Sequence, residues 1–352
     1  MARLKEFLEN ILAHGLYEKR ERFRADRNWT AILSPHIRFG ELSARRCYHE
    51  ALRYAAQKVQ TEKGPRPLNS TFARRFSWRD LAYWCLWCYP EMTLTSLRTH
   101  YEKQTWQGTE EQLKAWRRGR TGFPLVDAGM RQLWRVGWMP NYLRHVCAQF
   151  LIEFLDISWK RGFEWFDYTL VDSDVAINAF MWQNGGHSGL DQWNFVMHPV
   201  FAAKSCDPDG NYVRQWVPEL ARLPAEYIHC PWEAPQALLL SANCIFHRTY
   251  TTRILEDLEQ ARRDHAREVL RVRREHRDMI ARGGNEWFQT RQGDWVTLIT
   301  RDDFRQNTDE AITRQTADKP RDAKKRQLQD PMSLVMGDFV HQHEQLQDHD
   351  VL

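Results

Sequence analysis

Apolar residues along the first two thirds of the chain recur three and four positions apart. KEFLENILAHGLY, GELSARRCYHEALRYAAQKV, SWRDLAYWCLWCY, DAGMRQLWRVGW and LRHVCAQFLIEFLDISW each place them on one helical stripe. No alternating run with a turn signal interrupts them up to about residue 235. The pattern therefore predicts an all-α, multi-helix domain with loops such as KGPRPLN and RRGRTGFP. Beyond HCPWEAP a charged helix is predicted over 253–282, stopped by Gly283 and Gly284. EWFQTRQGDWVTLIT then reads as a small β-hairpin around Gly293. The polar stretch from about Gln306 to Leu352, broken by Pro320 and Pro331, reads as a largely disordered or partner-bound tail. A helical domain over 1–282 and a C-terminal extension over 283–352 are the expected organisation.

With 352 residues, 42% of them hydrophobic, the chain can bury a full core. Its net charge of +4, from 50 basic and 46 acidic residues, points to local basic surfaces and not to a polycation. Seven cysteines at irregular spacing argue for a reducing, intracellular compartment; nucleus, cytoplasm and plastid are not separated by the sequence. No apolar run approaches the roughly 18 to 20 residues of a membrane span. Sixteen tryptophans, spread without a repeat period, fit a large-ring core or a redox path.

Candidate chemistry concentrates in four places. In TAILSPHIRFGELS, Thr30 and Ser34 offer hydroxyls at a helix start that has Pro35 in its first turn, a candidate phosphate cradle. SWRDL sets Arg79 beside Trp78 and Asp80, where a guanidinium could meet a phosphate or stay solvated. In GWMPNYLRH, Asn141 and Arg144 lie three apart on one helical face. In LVDSDVAINAFMWQNGG, Asp174, Asn178 and Trp182 fall at i, i+4 and i+8, with Asp172 just ahead and Arg144 as a candidate partner for it. As bare chemistry this stripe is open between an acid/base pair, a capping pair and a clamp for a heterocycle. Cys85 and Cys88 have no second pair and lie among aromatics, so they read as buried thiols; His341, His343 and His349 read as solvated tail, and no metal site is expected.

These motifs, with AWRRGRTGFPLVDAGMRQLWRVGWMPN and CDPDGNYVRQWVPELARLP, occur in an order and spacing that resembles the FAD-binding domain of the photolyase/cryptochrome family over roughly residues 15 to 235. MWQNGGHSGLDQWNFVMHP looks most like the plant- or alga-type branch. The resemblance implies a U-shaped FAD in an all-helical domain, its diphosphate held by Thr30, Leu33, Ser34 and Arg79. Ala31 stands where the family usually has serine. Asn141, Arg144, Asp172 and Asp174 would surround the flavin, with Arg144 paired to Asp172 and Asn178 beside flavin N5. Trp182, Trp159 and Trp106 would form the electron-transfer triad from the flavin outward.

The resemblance also has gaps. Only 29 residues precede Thr30, where family members carry an α/β antenna domain, so no antenna chromophore is expected in this chain. In the pocket that would take a DNA lesion, Trp78 and Asn141 are kept, but Arg75 stands where photolyases have glutamate, Asn184 where they have a second tryptophan, and His145 where dimer photolyases have methionine. The expected function is a cryptochrome-like blue-light photoreceptor that photoreduces FAD through its tryptophans. The competing readings are a deoxyribodipyrimidine photolyase acting in DNA repair, and a structural subunit that keeps the fold. DNA and a signalling or assembly protein held through the C-terminal extension are the candidate partners besides FAD.

Overall fold

The structure, a computed structural model, describes residues 2–12, 17, 20–27, 29–59 and 71–306. The tail expected after Gln306, its three histidines included, lies outside them. Its described elements are, in order, helices α1 (Ala2–Phe7, continued by a wide turn Leu8–Leu12), α2 (Ser34–Arg38), α3 (Ala44–Val59), α4 (Thr71–Cys88), α5 (Glu110–Arg117), α6 (Pro124–Val136) and α7 (Asn141–Gln149). There follow α8 (Trp159–Thr169), α9 (Val175–Gly185), α10 (Pro199–Cys206), α11 (Asn211–Trp216), α12 (Ala225–Ile228), α13 (Gln236–Ser241) and α14 (Leu258–Glu275). Strands β1 (Glu286–Gln289) and β2 (Trp295–Leu298) and helix α15 (Asp302–Gln306) close the described chain.

The chain forms two units: Met1–Thr93, Trp106–Trp182 and Met197–Arg262 make the first, and Leu94–Thr105, Gln183–Val196 and Arg263–Leu352 the second. These divisions fall inside the helical region, whereas the sequence pattern placed one near residue 283.

In the first unit, Leu4, Phe7 and Leu8 pack with Leu33, Cys47, Ala51 and Phe72, which brings α1, α3 and α4 together. A larger core takes Trp116, Phe123, Met130, Phe150 and Phe180, all but sealed from solvent. The TGFPLVD motif turns out to organise this core. Asp127, fully buried in the first turn of α6, accepts the Thr121 N–H at 2.6 Å, the Thr121 hydroxyl at 2.7 Å, the Gly122 N–H at 3.1 Å and the Tyr250 hydroxyl at 2.7 Å. Four donors on one carboxylate offset its desolvation. The long helix read through LRHVCAQFLIEFLDISW is in fact broken. After α7 a wide π turn spans Phe150–Phe154, Asp156 takes a positive φ of 49°, and the Ser158 side chain then accepts from the Lys160 N–H to start α8.

The second unit holds the expected hairpin, with Glu286 opposite Leu298 and Gln289 opposite Trp295. Its turn has Gly293 at φ 86° and a Thr290 N–H to Asp294 C=O bond of 2.8 Å. The charged helix is shorter than expected. It starts at Leu258, where Asp257 Oδ1 accepts the Gln260 N–H at 2.8 Å, and ends at Glu275 instead of running to the glycines. A buried carboxylate, Glu286, ties the unit together by accepting from Arg98 Nη1 at 2.9 Å, from the Tyr101 hydroxyl at 2.8 Å and from Arg273. Among the described residues no helix is long and apolar enough to cross a membrane.

Candidate functional site

Helix α4 buries Phe72, Ala73, Leu81, Ala82 and Cys85, which leaves Arg75, Arg79 and Tyr83 on another stripe at i, i+4 and i+8. Arg79 Nη2 reaches Asp174 Oδ2 at 3.4 Å, and its guanidinium carbon lies 4.5 Å from the Tyr83 ring centre. The Tyr83 hydroxyl donates to the same Asp174 oxygen at 2.6 Å. Burial and then the Asp174 carboxylate push the Tyr83 hydroxyl above its ordinary range, so it stays a donor. Sequence reasoning missed Tyr83; its one signal is its place one turn beyond Arg79.

Asp174 also starts α9. Its Oδ1 accepts the Ile177 N–H at 3.3 Å, so one carboxylate caps a helix and binds two side chains. One turn on, Asn178 Nδ2 donates to Phe163 C=O at 3.2 Å, which orients the amide and leaves Oδ1 available among the described residues. From α7, Arg144 Nη2 donates to Asp172 Oδ2 at 2.8 Å and its Nε to Met139 C=O at 3.0 Å. Asp172 Oδ1 is buried without a hydrogen-bond partner among the described residues. A carboxylate half-satisfied in this way leaves an acceptor for a donor that the chain does not supply.

Helix α2 is not capped by a hydroxyl. Leu33, not a hydroxyl residue, occupies its cap position without a side-chain bond, and Pro35 lies in the first turn as expected. Thr30 precedes the helix, Ile32 has φ 46°, and Ser34 Oγ accepts from Trp138 Nε1 at 3.4 Å. Arg38 donates to Ser173 C=O, which sets α2 beside the Asp172–Asp174 segment. The structure thus gathers Ser34, Arg79, Arg144, Asp172, Asp174 and Asn178 around linked segments.

Four of the five expected lesion-pocket residues, Arg75 on the α4 stripe among them, lie close to this group. Trp78 is half-buried, its ring centre 5.8 Å from that of Phe180, and Asn141 Nδ2 is 3.3 Å from His145 Nε2. Burial, with Arg75 and Arg144 adding like charge, pulls His145 down to about 3, so its imidazole is neutral at neutral pH. Asn184 is different: it is buried in the second unit and its Oδ1 holds the Asp191 N–H at 3.1 Å.

Trp182 packs against α8, the helix that begins with Trp159. Trp159, Gly162 and Phe166, at i, i+3 and i+7, share the helix's buried face. A Cβ on Gly162 would lie 2.1 Å from Trp182 Cη2, and the Phe166 and Trp182 ring centres are 5.0 Å apart and near perpendicular. Trp182 therefore packs on the helix face that carries Trp159. The segment after half-buried Trp106 is held to the turn before α8, because Asp156 accepts the Gln107 N–H at 2.9 Å and the Gly108 N–H at 3.0 Å.

Two arginines, an orphaned carboxylate oxygen and an oriented amide suit a ligand with phosphates and a heterocycle bearing both donors and acceptors. That description fits FAD. A family model described as the FAD binding domain of DNA photolyase matches residues 72–270. A deoxyribodipyrimidine photo-lyase of Agrobacterium fabrum is 38% identical over 256 residues, covering 72% of this chain and 52% of that protein. Cryptochrome-2 of Arabidopsis thaliana is 35% identical over 276 residues, 77% of this chain and 44% of its own. The crystal structure of a bacterial class III photolyase from Agrobacterium tumefaciens matches with a TM-score of 0.68 at 35% identity, covering 78% of this chain and 55% of that one. The chain spans about half the length of the curated relatives it matches.

Proposed function

Because the chain belongs to the photolyase/cryptochrome family and carries its FAD-binding domain, we propose that it is a cryptochrome-type blue-light photoreceptor whose tryptophans donate electrons to its flavin. FAD supplies blue-light absorption and a one-electron acceptor. Thr30, Leu33, Ser34 and Arg79 would hold its diphosphate, and Asn141, Arg144, Asp172 and Asp174 would orient its rings. Asn178 would present a neutral amide at N5, a group with no proton to lose at physiological pH. Trp182 would be the first donor, Trp159 and then Trp106 would stand behind it, and a thiol reductant in solution would restore Trp106.

The observation that carries this reading is the packing of Trp182 on Gly162 and Phe166 of α8, the helix that begins with Trp159. Both rings are almost wholly buried, which shields an oxidised indole from water until the next donor acts. Absorption spectra of the purified protein before and after blue light test it. The flavin bands bleach in the parent and persist in Trp182→Phe, while FAD content stays equal in both. Persistence in the parent, or bleaching unchanged in the variant, would falsify the reading.

Light-dependent DNA repair is the second reading, favoured by Trp78 and Asn141 beside the same group of residues. Arg75 weighs against it, since an arginine offers a base edge no acceptor and reverses the charge at that point. Turnover of a cyclobutane-dimer oligonucleotide under light would reverse the ranking. A purified chain that holds no flavin would instead favour the structural-subunit reading.

A further inference from the structure

Tyr83 is 43% exposed on α4, so its ring is not there to fill the core. Among the described residues, its hydrogen bonds and its contact with a cation all go to Arg79 and Asp174, two residues proposed above to hold FAD. Arg79 Nη2 donates to the Tyr83 hydroxyl at 3.2 Å, and the hydroxyl donates to Asp174 Oδ2 at 2.6 Å. A phenol suits this place because one oxygen both accepts and donates, which a phenyl ring or an ammonium cannot do. The direct Arg79–Asp174 contact, at 3.4 Å, lies beyond the usual range of an N–H···O bond. The two charges are therefore tied chiefly through the hydroxyl, and the Tyr83 ring, 4.5 Å from the guanidinium carbon, limits where the arginine can swing.

The clamp holds both charged groups and leaves donors open. Among the described residues Arg79 Nε and Nη1 make no hydrogen bond, while Nη2 is taken up by Tyr83 and Asp174. Asp174 is pinned at both oxygens, Oδ2 by the clamp and Oδ1 by the Ile177 N–H at 3.3 Å. A staple serving only the fold would bury its ring, whereas Tyr83 seals little apolar surface.

We propose that Tyr83 is a positioning residue for FAD: its hydroxyl couples Arg79, at the diphosphate end of the site, to Asp174, at the flavin end, and sets both before the cofactor arrives. This rests on the FAD placement proposed above. A long arginine and a carboxylate already held in place need no further ordering when the ligand binds, so the clamp raises affinity without touching FAD itself.

The test is the FAD dissociation constant of the full chain, stripped of flavin and titrated with FAD, in a mutant cycle of Arg79→Ala and Asp174→Asn. In the parent the double variant should lose less affinity than the product of the two single losses, by about threefold or more, as coupled neighbours do. In a Tyr83→Phe background, which keeps the ring beside Arg79, the two losses should multiply. Tyr83→Phe alone should weaken FAD binding about fivefold, the scale of one or two side chains left to be ordered on binding. Tyr83→Leu, which removes the ring as well, should weaken it further. A residue that only held the fold together would lower the melting temperature and leave the coupling as it was. Unchanged coupling in Tyr83→Phe, or unchanged affinity in Tyr83→Phe beside a weakened Arg79→Ala, overturns the role of Tyr83 alone. Arg79→Ala binding FAD like the parent overturns the placement of FAD, and the proposal with it.

Discussion

Single residues decide how the side chains of the candidate site behave. His145 is held neutral by burial and by the charges of Arg75 and Arg144, and the sign of its pH dependence follows from that. Its folded pKa of about 3 lies below the ordinary 6.5, so the unfolded chain takes up the proton first as pH falls. The stabilising contribution is therefore whole above about pH 6.5 and drains away between there and about 3. An NMR titration should find the His145 ring resonances flat between pH 5 and 8; a midpoint near 6.5 would refute the assignment. Gly162 is the other deciding residue. Alanine at a helix interior normally gains about 0.5–1 kcal/mol over glycine. Here a Cβ would meet Trp182 at 2.1 Å with Leu151 behind it at 2.8 Å, and overpacking of that kind costs about 1–3 kcal/mol. Gly162→Ala should lower the melting temperature and slow flavin bleaching in light, whereas an exposed-site control such as Lys114→Ala should do neither.

At the scale of elements, the hairpin stands on a charge cluster that no periodicity shows. Burial would push the Glu286 carboxyl up, but Arg98 and Arg273 outweigh it and hold it well below the usual range. Its stabilising contribution is full above the unfolded value of about 4.3 and is lost as pH falls below that. Glu286→Gln leaves two buried guanidiniums without a counter-charge, a loss of about 3–5 kcal/mol. Hydrogen exchange of the β1 and β2 amides should speed up in that variant, and acid unfolding of the hairpin should lose its steep limb; unchanged exchange would show the cluster to be idle. The strands themselves were legible from EWFQ and WVTL around a glycine turn. The end of α14 was not, because Gly283 and Gly284 look like a stop signal while Arg273 donates to Glu286 and to Gly284 C=O from the helix's last turn. The same distance problem hid Tyr83, whose partner Asp174 is 91 residues away, and made Asp127 look like one more helix acid. Motif order made the Arg144–Asp172 pair readable; the capping bond of Asp174 needed coordinates.

For the whole molecule, the residues proposed to hold FAD all belong to the first unit, while the Glu286 cluster belongs to the second. A ligand that binds only the folded state stabilises what it touches by RT ln(1 + [L]/Kd), about 2.7 kcal/mol at a hundredfold excess over Kd. Part of that gain is specific to this site, because the buried Asp172 Oδ1 lacks a donor within the described chain and an unanswered polar atom costs about 1–3 kcal/mol. FAD added to the flavin-free protein should therefore slow exchange of amides at α4 and at the start of α9, and raise the melting temperature. Asp172→Ala removes both the orphaned oxygen and the partner of Arg144, so it should weaken FAD affinity by tenfold or more and cancel most of the local protection. Hairpin amides, whose protection comes from Glu286, should respond to Glu286→Gln and not to FAD, since local opening follows the local interactions. Equal protection of hairpin and α4 by FAD would mean that the two units open together, and the assignment of cofactor stabilisation to the first would be wrong.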